Sequence, residues 1–161
     1  MGIPSYFSHL VRNHKACVQE LDNKSVDNLY LDANSIIYDC LHKLESSERE
    51  FTEEQLIMAV FNKIWDYIKL MNPTKSCFIA FDGVAPLAKL KQQRNRRYKS
   101  SLEKNINNKI HNTNKNKWDT CAITPGTPFM SKLNDMLRKA FETKRTSIQI
   151  TLSGSNVPGE G

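Results

Sequence analysis

The chain has 161 residues, 39% of them hydrophobic and 25% charged, which suits one soluble domain with a core of its own. No run approaches the roughly 18–20 consecutive apolar residues of a membrane-spanning helix. The opening Met1-Gly2-Ile3-Pro4-Ser5-Tyr6-Phe7 lacks the basic-then-apolar layout of a secretory signal. The expectation is an intracellular protein, cytoplasmic in preference to nuclear, with no membrane partner.

The net charge of +6 is segregated along the chain: residues 1–82 carry −4, residues 83–117 carry +9 and residues 118–161 carry +1. A block this polarised is the footprint of a polyanion binder, although a solvated basic helix face gives the same count. Cys17, Cys40, Cys77 and Cys121 are widely spaced with no Cys-x-x-Cys pair, which argues against both a zinc site and a disulfide framework. Buried thiols are expected. His9, His14, His42 and His111 are equally scattered and read as surface or core residues.

Taken in chain order, Asn28-Leu-Tyr-Leu-Asp32 is a short apolar run ending in an acid, the pattern of a buried strand. A helix follows from about Asn34. Thr52-Glu53-Glu54-Gln55 is a capping box. Leu56, Val60, Ile64 and Ile68 recur behind it at four-residue steps beside Ile57, Phe61 and Trp65, so an amphipathic helix is expected over 53–71, stopped by Asn72-Pro73. Cys77 to Asp82 is a second apolar strand ending in an acid. Gly83 and Pro86 then open a long polar helix running to residue 105 or beyond. Composition leaves residues 105–117 open between a polar loop and an extension of that helix. Thr127-Pro128 reads as a cap and first turn, with Phe129, Met130, Leu133, Leu137 and Phe141 as an apolar stripe. Ile148, Ile150 and Leu152 alternate with polar residues in a third strand over 147–153. Strands separated by helices imply an α/β fold with a parallel sheet and right-handed crossovers.

In such sheets ligands bind beyond the carboxyl ends of the strands. Asp32 and Asp82 end two predicted strands, and Glu160 lies a short loop past the third. Either aspartate alone could serve as an ordinary helix cap. Their repetition at successive strand ends points instead to convergence. Clustered carboxylates repel unless cations compensate, and hard oxygen donors suit Mg²⁺ or Mn²⁺. Two such ions about 4 Å apart serve phosphodiester hydrolysis.

Five stretches stand in order: Asn28-Leu-Tyr-Leu-Asp32-Ala-Asn34-Ser-Ile-Ile37, Phe81-Asp82-Gly83-Val84-Ala85-Pro86, Lys89-Leu-Lys-Gln92-Gln93-Arg94-Asn-Arg96-Arg97, Ile123-Thr-Pro-Gly-Thr-Pro-Phe129-Met130 and Pro158-Gly-Glu160-Gly161. Together they closely resemble the Xrn 5′→3′ exoribonucleases, whose catalytic core belongs to the flap-endonuclease-like (PIN-like) nuclease superfamily. The resemblance covers the whole chain as the N-terminal portion of that nuclease domain. It implies that Asp32, Asp82 and Glu160 are catalytic, metal-binding carboxylates for Mg²⁺ or Mn²⁺, two ions in the complete site. In the family the Gly-Glu-Gly stretch continues into a second glutamate and later acids. This chain stops at Gly161, so the expectation is a piece cut within the active-site sequence, short of its C-terminal portion and of uncertain activity alone.

Lys89, Gln93, Arg96 and Arg97 fall at i, i+4, i+7 and i+8, on one helix face. Lysine brings a point charge, arginines planar forks and glutamine neutral donors. Basic helix faces are common; the resemblance implies that these four form the pocket for a 5′-monophosphate. It also implies that Tyr38 stands where the family has a base-stacking histidine. Tyrosine can stack but cannot supply an imidazolium, and it can equally serve as a half-buried core aromatic. The implied activity is hydrolysis of single-stranded 5′-monophosphorylated RNA in RNA processing and decay. The alternatives are a DNA 5′ flap nuclease of the wider superfamily and an inactive RNA-binding fragment or relative.

Overall fold

A computed structural model describes residues 5–18, 25–47, 50–111 and 118–154. The elements are α1 (Tyr6–Asn13), β1 (Asn28–Asp32), α2 (Asn34–Ser46), α3 (Glu53–Met71), β2 (Ser76–Ala80), α4 (Leu87–His111), α5 (Pro128–Glu142) and β3 (Gln149–Ser153), with short 3-10 turns at Lys15–Cys17 and Thr120–Ala122. The three strands form one parallel sheet in the order β1-β2-β3. The α/β, parallel-sheet class expected from the sequence is therefore the class observed.

The helix start and stop signals have structural counterparts, and the third strand, expected over 147–153, runs Gln149–Ser153. At the start of α3 the Thr52 hydroxyl accepts the Gln55 N–H at 3.3 Å, and the Gln55 amide oxygen accepts the Thr52 N–H at 2.9 Å. Asn72 ends the helix in the left-handed region at φ 42°, a conformation asparagine tolerates well, and Pro73 prevents continuation. Pro128 is in the first turn of α5 behind the cap residue Thr127. The polar helix α4 takes in residues up to His111; residues 112–117 lie outside the described residues. Helix α1 has no counterpart in the sequence reading, and none of its residues is buried.

The core lies on one face of the sheet. Leu29 of β1 and Cys77 and Ile79 of β2 pack with Ile37 and Leu41 of α2, Leu56, Val60 and Ile64 of α3, and Met130, Leu133 and Leu137 of α5. The other face is where the expectation of buried strands needs correction. Tyr30 is 72% exposed and its cross-strand neighbour Phe78 is 36% exposed, their rings 6.3 Å apart. The apolar runs of β1 and β2 are those of strands covered on both faces, but α2, α3 and α5 supply cover on one.

The cysteines divide in the same way. Cys40 and Cys77 are buried as expected, and burial raises both thiols, Cys77 to about 11, so both pack as neutral side chains. Cys17 and Cys121 are exposed, which corrects the expectation of four buried thiols.

Salt bridges tie the periphery. Asp27 accepts from Thr74 Oγ1 at 2.6 Å and Lys75 Nζ at 2.7 Å, pinning the entries of β1 and β2 together. Lys132 of α5 bridges Glu53 at 3.2 Å and Glu54 at the start of α3.

Two outcomes follow for stability. Leu41→Ala, at a fully buried position, should cost about 2–5 kcal/mol in urea denaturation. The hydrogen bond from Lys132 holds Glu54 down from 4.5 to about 2. A depressed carboxyl contributes stability that is complete above its unfolded value and is lost as pH falls from 4.5 toward about 2. Lys132→Met should flatten that part of the acid-denaturation profile, read as urea midpoint against pH. An unchanged profile would mean that this exposed pair contributes nothing measurable.

Candidate functional site

The backbone between strands determines what meets at the carboxyl end of the sheet. The register pairs Asp32 of β1 with Ala80 of β2, and Ala80 with Ser153 of β3. Pairing continues past the strands: the Ala33 N–H donates to Ala80 O at 2.8 Å and the Phe81 N–H to Ser153 O at 3.0 Å. The segments carrying Asp32 and Asp82 thus leave adjacent strands at the same edge. Asn34, in the first turn of α2, reaches across this edge, its Oδ1 accepting the Asp82 N–H at a long 3.4 Å. Asp82 is partly buried and Asp32 is exposed.

A cavity of about 350 Å³ opens at this edge. Its floor includes Asn34 and Asp82, one side is Tyr38 of α2, and another is Gln93 and Arg97 of α4. Tyr38 is 37% exposed, so its ring is available at the surface and not sealed in the core. The remaining wall runs from Thr120 to Pro125. That wall is fixed from behind. Ile123 is in the core, and Trp118 stands edge-on to the buried Phe129 with ring centroids 4.8 Å apart. The single Thr127 hydroxyl proton is shared between Ala122 O at 2.5 Å and Thr124 O at 2.9 Å, while its oxygen accepts the Met130 N–H at 3.3 Å. Gly126, at φ +84°, makes the left-handed turn between wall and helix, a conformation that suits glycine.

The candidate residues therefore meet in part. Tyr38, Asp82, Gln93 and Arg97 share the cavity. Asp32 is at the same sheet edge, two residues before Asn34, but does not line the cavity. Lys89 is half-buried on the first turn of α4, also outside the lining. Glu160 and the Arg96 side chain lie outside the described residues. Asp32 and Asp82 offer the hard oxygen donors that a divalent cation requires; among the described residues no group of three His, Cys, Asp or Glu side chains is close enough to form a metal cage. Sequence reasoning assigned no role to Asn34, Thr120, Cys121 or Thr124. The available signal was the Ile123-Thr-Pro-Gly-Thr-Pro run, whose rigid turn chemistry marks a fixed loop without saying what it faces.

Chemically, the cavity combines a guanidinium and an amide on one side with an aromatic ring and a carboxylate, within the volume of a small ligand site. The family model described as XRN 5′-3′ exonuclease N-terminus matches residues 1–161. The chain is 35% identical to the 5′-3′ exoribonuclease 2 of Candida glabrata over its whole length, covering 20% of that protein. It is 34% identical to the 5′-3′ exoribonuclease 1 of Schizosaccharomyces pombe, again over its whole length, covering 13% of that protein. The 5′-3′ exoribonuclease 2 of the same yeast is 37% identical across 84% of the chain and 16% of its own length. The chain thus spans a fifth or less of these relatives, which are named as exoribonucleases, hydrolases of RNA. No described helix is long and apolar enough to cross a membrane. A match along all 161 residues makes the chain a member of the XRN 5′-3′ exonuclease family, in its N-terminal region.

Proposed function

We propose that this chain is the N-terminal portion of a nuclease domain that hydrolyses single-stranded, 5′-monophosphorylated RNA from its 5′ end. The observation carrying this reading is that Gln93 and Arg97 share one cavity with Tyr38 and Asp82. A terminal phosphate accepted by the α4 face, with its base on the Tyr38 ring, would lie next to the carboxylate end of the sheet. Lys89 and Arg96, on the same helix, would add charge around that phosphate. Arginine forks and glutamine donors match phosphate oxygens geometrically, and an aromatic face stacks on any base. A pocket that grips one terminal phosphate and its base would favour a monophosphate end over a capped one.

Asp32, Asp82 and Glu160 would hold Mg²⁺ or Mn²⁺ in this reading. The bound ions would supply activation of water and neutralisation of charge on the leaving oxygen. The chain's own contribution is positional: the α4 face fixes the end of the substrate, Tyr38 orients the first base, and the Thr120–Pro125 wall limits what else can enter. An intracellular, cytoplasmic place of action in RNA decay goes with the same proposal.

The test is to compare 5′-monophosphorylated, 5′-hydroxyl and capped forms of one short oligoribonucleotide by fluorescence anisotropy. The monophosphate should bind tightest, and Arg97→Ala should weaken it by about 1.5–3 kcal/mol, the range for a hydrogen bond to a charged group. Equal binding of all three ends would sink the pocket assignment. Asp82→Ala should leave that end preference in place while removing Mg²⁺-dependent cleavage in a protein that contains this domain entire. Cleavage undiminished in Asp82→Ala would remove the carboxylate from the chemistry. A DNA oligonucleotide of the same sequence, cut as readily as RNA, would favour a flap-type DNA nuclease instead.

A further inference from the structure

The face of α4 turned away from the cavity differs from an ordinary solvated helix surface. The helix has 25 residues and spans about 37 Å at 1.5 Å per residue. Gln93 and Arg97 line the cavity from one side of it. At about 100° per residue, the opposite side carries Leu87, Tyr98, Leu102 and Ile106. These are 84, 75, 49 and 46% exposed. With Lys91 and Asn95 between them, they make a seam whose steps are four, four, three, four and four residues. That is the spacing by which one helix packs along another. The seam is basic: Lys91 and Arg94 are exposed within and beside it. Glu103, the single acid in α4, faces Lys99 at 3.9 Å.

We propose that this back face of α4 docks an acidic, amphipathic helix of a partner protein. Apolar side chains of the partner would cover Tyr98, Leu102 and Ile106, and its carboxylates would meet Lys91 and Arg94. Charge weighs against a second copy, and the aliphatic side chains weigh against RNA. A second copy would bring together two segments that each carry a net charge of +9. RNA would satisfy the cations and could stack on Tyr98, but it would leave the aliphatic Leu102 and Ile106 in water, because stacking needs a ring. Helices recognised through an apolar seam with flanking charge are an established mode of peptide recognition. A partner held here would brace the helix that presents Gln93 and Arg97. No seam residue lines the cavity, so the proposal stands whether or not the exonuclease reading does.

The probe is a fluorescent helical peptide of about four heptads with leucine at the a and d positions and glutamate at e and g, titrated with the intact chain. Saturable binding is expected, weakened at least about tenfold by Leu102→Ser with Ile106→Ser, as for loss of central apolar anchors. The same peptide with lysine in place of glutamate should not bind. Circular dichroism of the double variant checks that its helix content is kept. Should that content fall, Lys91→Glu with Arg94→Glu serves as the second variant, and it should reverse the preference toward the lysine peptide. Absence of saturable binding, or equal binding of the two peptides, would overturn the proposal. So would a chain dimer, RNA binding or binding to anionic vesicles that the Leu102→Ser, Ile106→Ser variant abolishes.

Discussion

The parallel alignment of β1 with β2 is the constraint on which the rest of the molecule depends. Antiparallel pairing would send Asp32 and Asp82 to opposite ends of the sheet. Parallel pairing with Asp32 against Ala80 brings the two segments off the same edge, and the Asn34 to Asp82 hydrogen bond spans them. Parallel neighbours need a long crossover, and α2 and α3 supply it. Their buried faces are therefore both the core and the device that holds the strand ends in register. The Asp27 contacts to Thr74 and Lys75 fasten the same pair of strands at the opposite end.

The cavity draws on segments more than 80 residues apart, from Asn34 to Pro125. Three of its sides come from elements of different character. Tyr38 rides on a helix whose other face is buried at Ile37 and Leu41. The Thr120–Pro125 wall is a 3-10 turn and the loop after it, held by one threonine hydroxyl and one buried isoleucine. Gln93 and Arg97 stand on a helix that is polar almost throughout and contributes little to the core. Two sides of the cavity are thus set by core packing, while the basic side rests on a helix whose described back-face side chains are exposed. The charge of this protein follows the same division. Residues 83–117 carry the +9, a charge that would meet a polyanion in the proposed function.

Much of the fold was legible in the sequence because local chemistry and tertiary structure agree there. The capping box at Thr52, the four-residue apolar steps behind it, the stop at Asn72-Pro73 and the Thr127-Pro128 start each name a boundary that the structure keeps. The misses differ in cause. The runs through Leu29 and Cys77 have the composition of strands covered twice, and sequence alone does not reveal that Tyr30 and Phe78 face an uncovered side. Helix α1 has only eight residues and none fully buried, and its apolar spacing of Tyr6, Phe7, Leu10 and Val11 was a helical signal left unread. In the site, residues carrying charge or an aromatic ring were identifiable as types. Asn34 and the Thr120–Cys121 turn were not, because their position in the cavity comes from the crossover and not from any feature of their own.

The central claim is that the α4 face reads the 5′ phosphate itself and not merely the charge of RNA. A double-mutant cycle tests it most directly, crossing removal of the 5′ phosphate from one oligoribonucleotide with Arg97→Ala. If guanidinium and phosphate touch, the two losses should be strongly non-additive, with a coupling of about 1–3 kcal/mol. Additive losses would contradict the claim and leave α4 as a general polyanion surface.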